Sequence, residues 1–284
     1  ILAACGLVVA LAAAGAAVAD PAAPPPDRDK LLFHVETFEG AVLASQGADA
    51  PFNPASLIKV GTSLWALERL GAEHRYRTAV GAAGEWDKKS GLLTGTLVVE
   101  GGGDPDFHAE NVFLLARQLN LLLLSRVEGG LAIGGDFWVG WEKGAEKRVV
   151  DPQARAELMG RRLKMMLDSQ RWDRSTRAAW QAVCARRGWD PAVPPRIEIT
   201  GPVIHGAPPD WRLLAVHLSN PLPAMLRRFN VYSNNDIIRI ADGLGGAAGL
   251  QAFLEQRLEL PAGSVELETA SGELRNRITA RTGV

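Results

Sequence analysis

Between Asn53 and Gly71 the apolar residues fall at helical spacing. Leu57, Val60, Leu64 and Leu67 form one stripe, which predicts a helix with that stripe buried. Both ends carry signals of their own. Asn53 can cap the first turn, Pro54 suits the first helical position, and Gly71 stands where a C-terminal glycine belongs. Elsewhere the apolar runs shorten to strand length. Leu31–Thr37 and Ala41–Ser45, split by Phe38-Glu39-Gly40, predict a β-hairpin. Arg75–Val80, Leu92–Glu100, Leu131–Val139, Ile197–Val203 and Trp211–Leu218 predict further strands, with a polar turn around Asp87–Gly91. Asn111–Leu124, most of Gln153–Arg187, Pro223–Phe229, Ile237–Leu244 and Gly249–Leu258 predict helices.

Composition narrows the class. With 284 residues, 47% of them hydrophobic, the chain can bury one large or two modest cores. A net charge of −1 gives no global pull toward nucleic acid. Residues Ile1–Ala19 are almost wholly apolar and end Ala17-Val18-Ala19 before Asp20, the small-x-small pattern of a signal-peptidase site. Residues 1–19 are therefore expected to be a signal peptide and 20–29 a proline-rich linker, so that the protein is exported to the periplasm with at most peripheral membrane contact. A rival reading takes Leu2-Ala3-Ala4-Cys5 as a lipoprotein site, but the apolar run continues past the cysteine as an h-region does. The two cysteines imply no disulfide framework, and Cys184 reads as a packed thiol.

The chemistry centres on Ser56 and Lys59. Three residues apart on one helix, they project from the same side, and that polar side continues to Ser63. A serine hydroxyl needs a base to accept its proton, and a lysine held in a dry pocket loses its charge readily. Other chemistries find less support. Gly101-Gly102-Gly103-Asp104 lacks the Gly-Lys-Ser/Thr of a phosphate loop and reads as a tight turn. The five histidines show no metal spacing, and no Gly-x-Ser-x-Gly elbow surrounds a serine. Gln153–Arg187 carries nine Lys/Arg against three acids, which reads as a solvated helical face rather than a surface for anionic polymer.

Phe52-Asn53-Pro54-Ala55-Ser56-Leu57-Ile58-Lys59 resembles the first motif of the penicillin-recognising serine enzymes, and Ser233-Asn234-Asn235 resembles their Ser-x-Asn motif. Leu97–Phe107, with its Gly-Gly-Asp-Pro, is similar to a segment of the D-Ala-D-Ala carboxypeptidases of the endopeptidase type, the class C low-molecular-mass penicillin-binding proteins. His217-Leu218-Ser219-Asn220-Pro221-Leu222 and Ser271-Gly272…Asn276-Arg277 resemble two more of their segments, in the same order. The resemblance implies an α+β fold of the β-lactamase/transpeptidase type, an antiparallel sheet flanked by helices. Its catalytic domain would comprise residues 30–80 and 205–284, with an inserted domain over 81–204. Within that insertion, Val149–Arg196 departs from the family's usual pattern.

What the resemblance implies for chemistry is acyl transfer from a terminal D-Ala-D-Ala or a peptidoglycan cross-link, with no metal and no organic cofactor. Ser56 would be the nucleophile, Lys59 the base and Ser233 a proton relay. Asn235 would bind the substrate amide and help hold Lys59, so that four side chains converge on one cleft. Peptidoglycan stem peptides would be the substrates and β-lactams covalent inhibitors. The alternatives are a β-lactamase-like hydrolase or esterase, and a non-catalytic peptidoglycan-binding relative. The third motif, Lys-Thr-Gly, is not found. Arg281-Thr282-Gly283 follows Asn276–Thr279 too closely to serve, and reads instead as the start of a helix. The true motif and the C-terminal strands are expected beyond Val284, and the chain as it stands is expected to be inactive and poorly stable.

Overall fold

The computed structural model describes residues 31–141, 149, 151–232 and 234–284. The expected signal peptide and linker, 1–29, and Ser233 lie outside the described residues. The chain divides into two compact units, Ile1–Trp65 with Gly245–Val284, and Ala66–Leu244. The domain boundaries expected at 80/81 and 204/205 both fall inside the second.

The first unit opens with the hairpin that the apolar runs predict. Strands β1 (Phe33–Glu36) and β2 (Val42–Gln46) pair antiparallel. The Thr37 N–H donates to the Ala41 carbonyl at 2.9 Å across the turn, where Gly40 takes a φ of +84°. A short strand, β3 (Pro51–Phe52), leads through a 3-10 turn at Ala55–Leu57 into helix α1 (Ile58–Leu70), which ends in the second unit. Asn53 does guard this entry. Its side-chain oxygen accepts the Ala55 N–H at 2.8 Å, and its amide donates to the Leu274 carbonyl at 3.2 Å.

The second unit is built on a seven-stranded mixed sheet. Strands β4 (Arg77–Asp87) and β5 (Leu92–Gly102) form a long antiparallel hairpin that turns at Asp87–Gly91. Helix α2 (Ala109–Leu121) follows, then β6 (Arg126–Val127) and β7 (Leu131–Asp136), which both run parallel to β5. Helices α3 (Pro152–Leu167) and α4 (Arg174–Arg187) are capped by the carboxylates of Asp151 and Asp173. Then β8 (Glu198–Ile199) and β9 (Val203–His205) extend the parallel portion, while β10 (Arg212–Leu218) pairs antiparallel with β4. Helices α5 (Leu222–Val231) and α6 (Ile237–Leu244) complete the unit.

Its main core sets Leu93, Leu97, Val99 and Ile133 of the sheet against Val112, Leu119, Met159 and Leu163 of α2 and α3. A satellite packs Phe113 with Trp172, Trp180, Val183 and Cys184. Cys184 is the packed thiol that the sequence suggested, its acidity weakened by burial. A third cluster joins Ala66 to Leu222, Met225, Phe229, Ile237 and Ile240.

The glycine run is not the tight turn expected of it. Gly101 and Gly102 stay in β5, opposite Gly135 and Asp136 of β7. A β-carbon at 101 would sit 2.6 Å from the Phe137 nitrogen, and one at 102 would sit 2.5 Å from the Arg77 carbonyl oxygen. The glycines let neighbouring backbone come close, and the chain turns only at Gly103, where φ is +81°.

Back in the first unit, helix α7 (Gly246–Arg257) stacks Phe253 on Trp65, with ring centroids 6.1 Å apart. Strands β11 (Val265–Glu266) and β12 (Arg277–Thr279) then join β3 in an antiparallel sheet of order β11-β12-β3. Residues 280–283 form a turn rather than the start of a helix, and Arg281 pairs there with Asp49 at 2.8 Å.

Candidate active site

Ser56 lies in the 3-10 turn and Lys59 in the first turn of α1, so local spacing alone sets the two residues one turn apart. Lys59 Nζ stands 3.1 Å from Ser56 Oγ. The amine also donates to the backbone carbonyl of Ser271. Lys59 is 1% exposed. Burial pulls its pKa down from 10.5 to about 8, against a smaller upward pull from the Glu273 carboxylate. Just before the serine, Ala55 adopts a φ of +47°, a conformation uncommon for a residue with a β-carbon.

The buried face of α1 is not the one the apolar stripe predicted. Leu57, Val60 and Leu64 are exposed, Val60 to 59%, and Leu67 is half-buried against the Ala66 cluster. Ile58, Lys59, Thr62, Ser63, Trp65 and Ala66 are the buried residues. The reason lies in Ala270 and Ser271, whose carbonyls face this side of the helix. Thr62 Oγ1 donates to the Ala270 carbonyl at 2.7 Å and Lys59 to that of Ser271. Ser63 donates to the Lys59 carbonyl at 2.7 Å. A polar helix face is buried when its donors find acceptors, and these do.

The second motif stands in the second unit. Ser233 lies outside the described residues. Asn235 is half-buried in the turn before α6, where its carbonyl accepts the Ile238 N–H at 3.0 Å. Beside it, the Asn234 side chain accepts the Asp236 N–H at 2.8 Å.

This turn adjoins a buried ionic network that pattern reading missed. The Asp236 carboxylate lies 3.3 Å from Arg239 and 3.4 Å from His108, all three side chains almost fully buried. Arg239 also donates to the Pro105 and Gly140 carbonyls at 3.2 and 3.0 Å, and its guanidinium lies over the Trp138 ring. His108 stacks on Trp141, and Asp106 pairs with Arg228. The neighbouring Asp104 takes His217 at 3.2 Å, tying the Gly-Gly-Gly-Asp-Pro segment to β10. The one sequence signal was an arginine in the otherwise apolar Ile237–Ala241, three residues after an aspartate. No group of side chains suited to a metal ion occurs among the described residues.

The chain shares its fold with solved peptidoglycan endopeptidases and a penicillin-binding protein, and it carries a serine and a buried lysine one turn apart at the start of a helix. At the level of sequence, residues 16–143 match the model of the D-Ala-D-Ala carboxypeptidase 3 (S13) family, and the resemblance first seen in Phe52–Lys59 stands. No curated protein matches the chain. Among solved structures it resembles the Bd0816 predatory endopeptidase of Bdellovibrio bacteriovorus, at 22% identity and a TM-score of 0.67, over 89% of this chain and 66% of that one. It also resembles Bd3459, a predatory peptidoglycan endopeptidase of the same organism, at 22% identity and a TM-score of 0.66, over 85% of this chain and 63% of that one. Penicillin-binding protein 4 (dacB) of Haemophilus influenzae follows at 19% identity and a TM-score of 0.57, over 86% of this chain and 71% of that one. The chain thus spans a little under two thirds of the two Bdellovibrio proteins.

Proposed function

We propose that the chain is a serine-type D-Ala-D-Ala carboxypeptidase/endopeptidase acting on peptidoglycan peptides. The observation that carries this reading is the Lys59 amine, buried and 3.1 Å from the Ser56 hydroxyl. As Ser56 Oγ bonds to the substrate carbonyl carbon, the neutral amine of Lys59 takes the hydroxyl proton. The carbonyl oxygen becomes an oxyanion, toward which the Ser56 N–H and the helix N-terminus present positive charge. Collapse expels the D-alanine amine, which takes a proton through Ser233. Asn235 holds the substrate amide. Water then attacks the ester on Ser56, returns its proton by the same route and frees the shortened peptide. A Bd3459 structure acylated by penicillin G supports the covalent step by analogy.

The protein is exported and works in the periplasm. This rests on the leader-like composition of 1–19, and the N-terminus of the protein recovered from cells tests it. Among the described residues no single helix is long and apolar enough to cross a membrane.

Labelling of the full-length protein with fluorescent penicillin tests the chemistry. One covalent label, lost in Ser56→Ala, with release of D-alanine from a pentapeptide is the expected result. Rapid penicillin turnover without D-alanine release would make it a β-lactamase-like hydrolase. An unlabelled protein that still binds peptidoglycan would make it a binder.

A further inference from the structure

The side chain of Asn276 makes a closed set of bonds. It is fully buried. Its oxygen accepts the Glu268 and Thr269 N–H groups at 2.9 and 3.1 Å, and its nitrogen donates to the Thr269 carbonyl at 2.9 Å. One amide thus fastens both backbone groups of Thr269 and the group before it. The next two residues are Ala270 and Ser271, whose carbonyls receive Thr62 and Lys59. After them comes Gly272, at a φ of +105° and against the backbone of Ala55 and Ser56.

We infer that Asn276 is a positioning residue for the Ser56–Lys59 pair. It fixes the Thr269–Gly272 segment so that the Ser271 carbonyl holds the Lys59 amine and turns it toward the serine.

The chemical need is specific. A neutral amine has one lone pair and two N–H bonds. To take the proton of Ser56 it must point the lone pair at Oγ, and something else must accept its N–H. The Ser271 carbonyl is that acceptor. A carbonyl in the ten-residue connection between β11 and β12 keeps its aim only if the connection is rigid, and the three bonds of Asn276 supply the rigidity. The inference rests on Lys59 as the base, but its test does not require that reading to hold.

The experiment uses the full-length protein and compares wild type, Asn276→Asp, Asn276→Ala and a control, Leu250→Ala. Aspartate keeps both acceptor bonds and loses the donor. Leu250 is buried on α7 and its side chain carries no hydrogen-bonding group, so its truncation loosens the unit while leaving the three bonds of Asn276 to be made. Penicillin acylation is resolved into binding and the acylation rate constant. Lys59 is titrated by NMR of 13Cε-lysine, which needs no turnover. Asn276→Ala should lower the rate constant on the order of 10- to 100-fold with binding within threefold. Asn276→Asp should fall between, and the Lys59 midpoint should move in both. Equal losses in Leu250→Ala, or an unmoved Lys59 midpoint in a folded Asn276→Ala or Asn276→Asp protein, would overturn the inference. A moved midpoint in a protein that is never acylated would keep the clamp and remove the base.

Discussion

Lys59 holds its amine 3.1 Å from the hydroxyl of Ser56 while standing almost wholly out of water. Such a lysine sheds its proton near pH 8 rather than above 10. Acylation by penicillin should therefore rise about tenfold per pH unit below pH 7 and level off above a midpoint near 8. A stopped-flow pH profile checks this. A flat profile from pH 6 to 9 would remove Lys59 as the base.

The same shift governs stability. The folded chain releases the Lys59 proton near pH 8 and the unfolded chain near 10.5, so between these values the unfolded state binds more protons. Unfolding free energy must then rise with pH across that window, and the cost of the buried cation is fully present below it. Urea melts of wild type against Lys59→Met isolate the effect. Wild type should gain on the variant between pH 8 and 10, and should not do so between pH 6 and 7.

Gly272→Ala should be more disruptive than its single methyl suggests. The added carbon would overlap the Ala55 carbonyl and come within 2.8 Å of the Ser56 nitrogen, at a backbone φ that suits glycine alone. A loss of roughly 2–4 kcal/mol follows from strain and overpacking together. Thermal melts read the loss, and penicillin labelling should fall in whatever fraction stays folded.

In the second unit the expected cost lies in one arginine. Arg239→Met would leave Asp236 a buried carboxylate without its guanidinium, and would strand the Pro105 and Gly140 carbonyls. Breaking a buried pair in this way costs about 3–5 kcal/mol. Denaturant unfolding, followed by the fluorescence of the Trp172–Trp180 cluster, measures it. A loss under 1 kcal/mol would mean the network carries little of the unit's stability.

The basic helices should prove indifferent to anionic polymer. Arg155 pairs with Asp136 at 3.1 Å, Arg161 with Glu157 at 3.6 Å, and Lys164 donates to the Gly201 carbonyl at 2.6 Å. Those charges are engaged within the protein. Reversing Arg161, Arg162 and Lys164 together should leave sedimentation with cell envelopes unchanged.

The hairpin, the β4–β5 strands and the Ser56–Lys59 pairing were legible because each rests on short-range pattern. Helical spacing alone sets one serine and one lysine side by side. The buried face of α1 was not legible, because Lys59 and Thr62 find their acceptors more than 200 residues away, at Ser271 and Ala270. Nothing local distinguishes an acceptor-satisfied polar face from a solvated one. Gly101 and Gly102 misled for a related reason. Their need for glycine comes from Phe137 and Arg77 lying against them, a fact of tertiary approach. Arg239 was hidden in the same way among isoleucines, since its partners are carbonyls at Pro105 and Gly140.

Cys184, sealed among Trp172, Trp180 and Phe113, gives the second unit a built-in clock. In a Cys5→Ser chain, a thiol reagent could reach its sulfur only when that aromatic nest came apart. The pace of modification would then time how often the nest breathes, in native buffer and without denaturant.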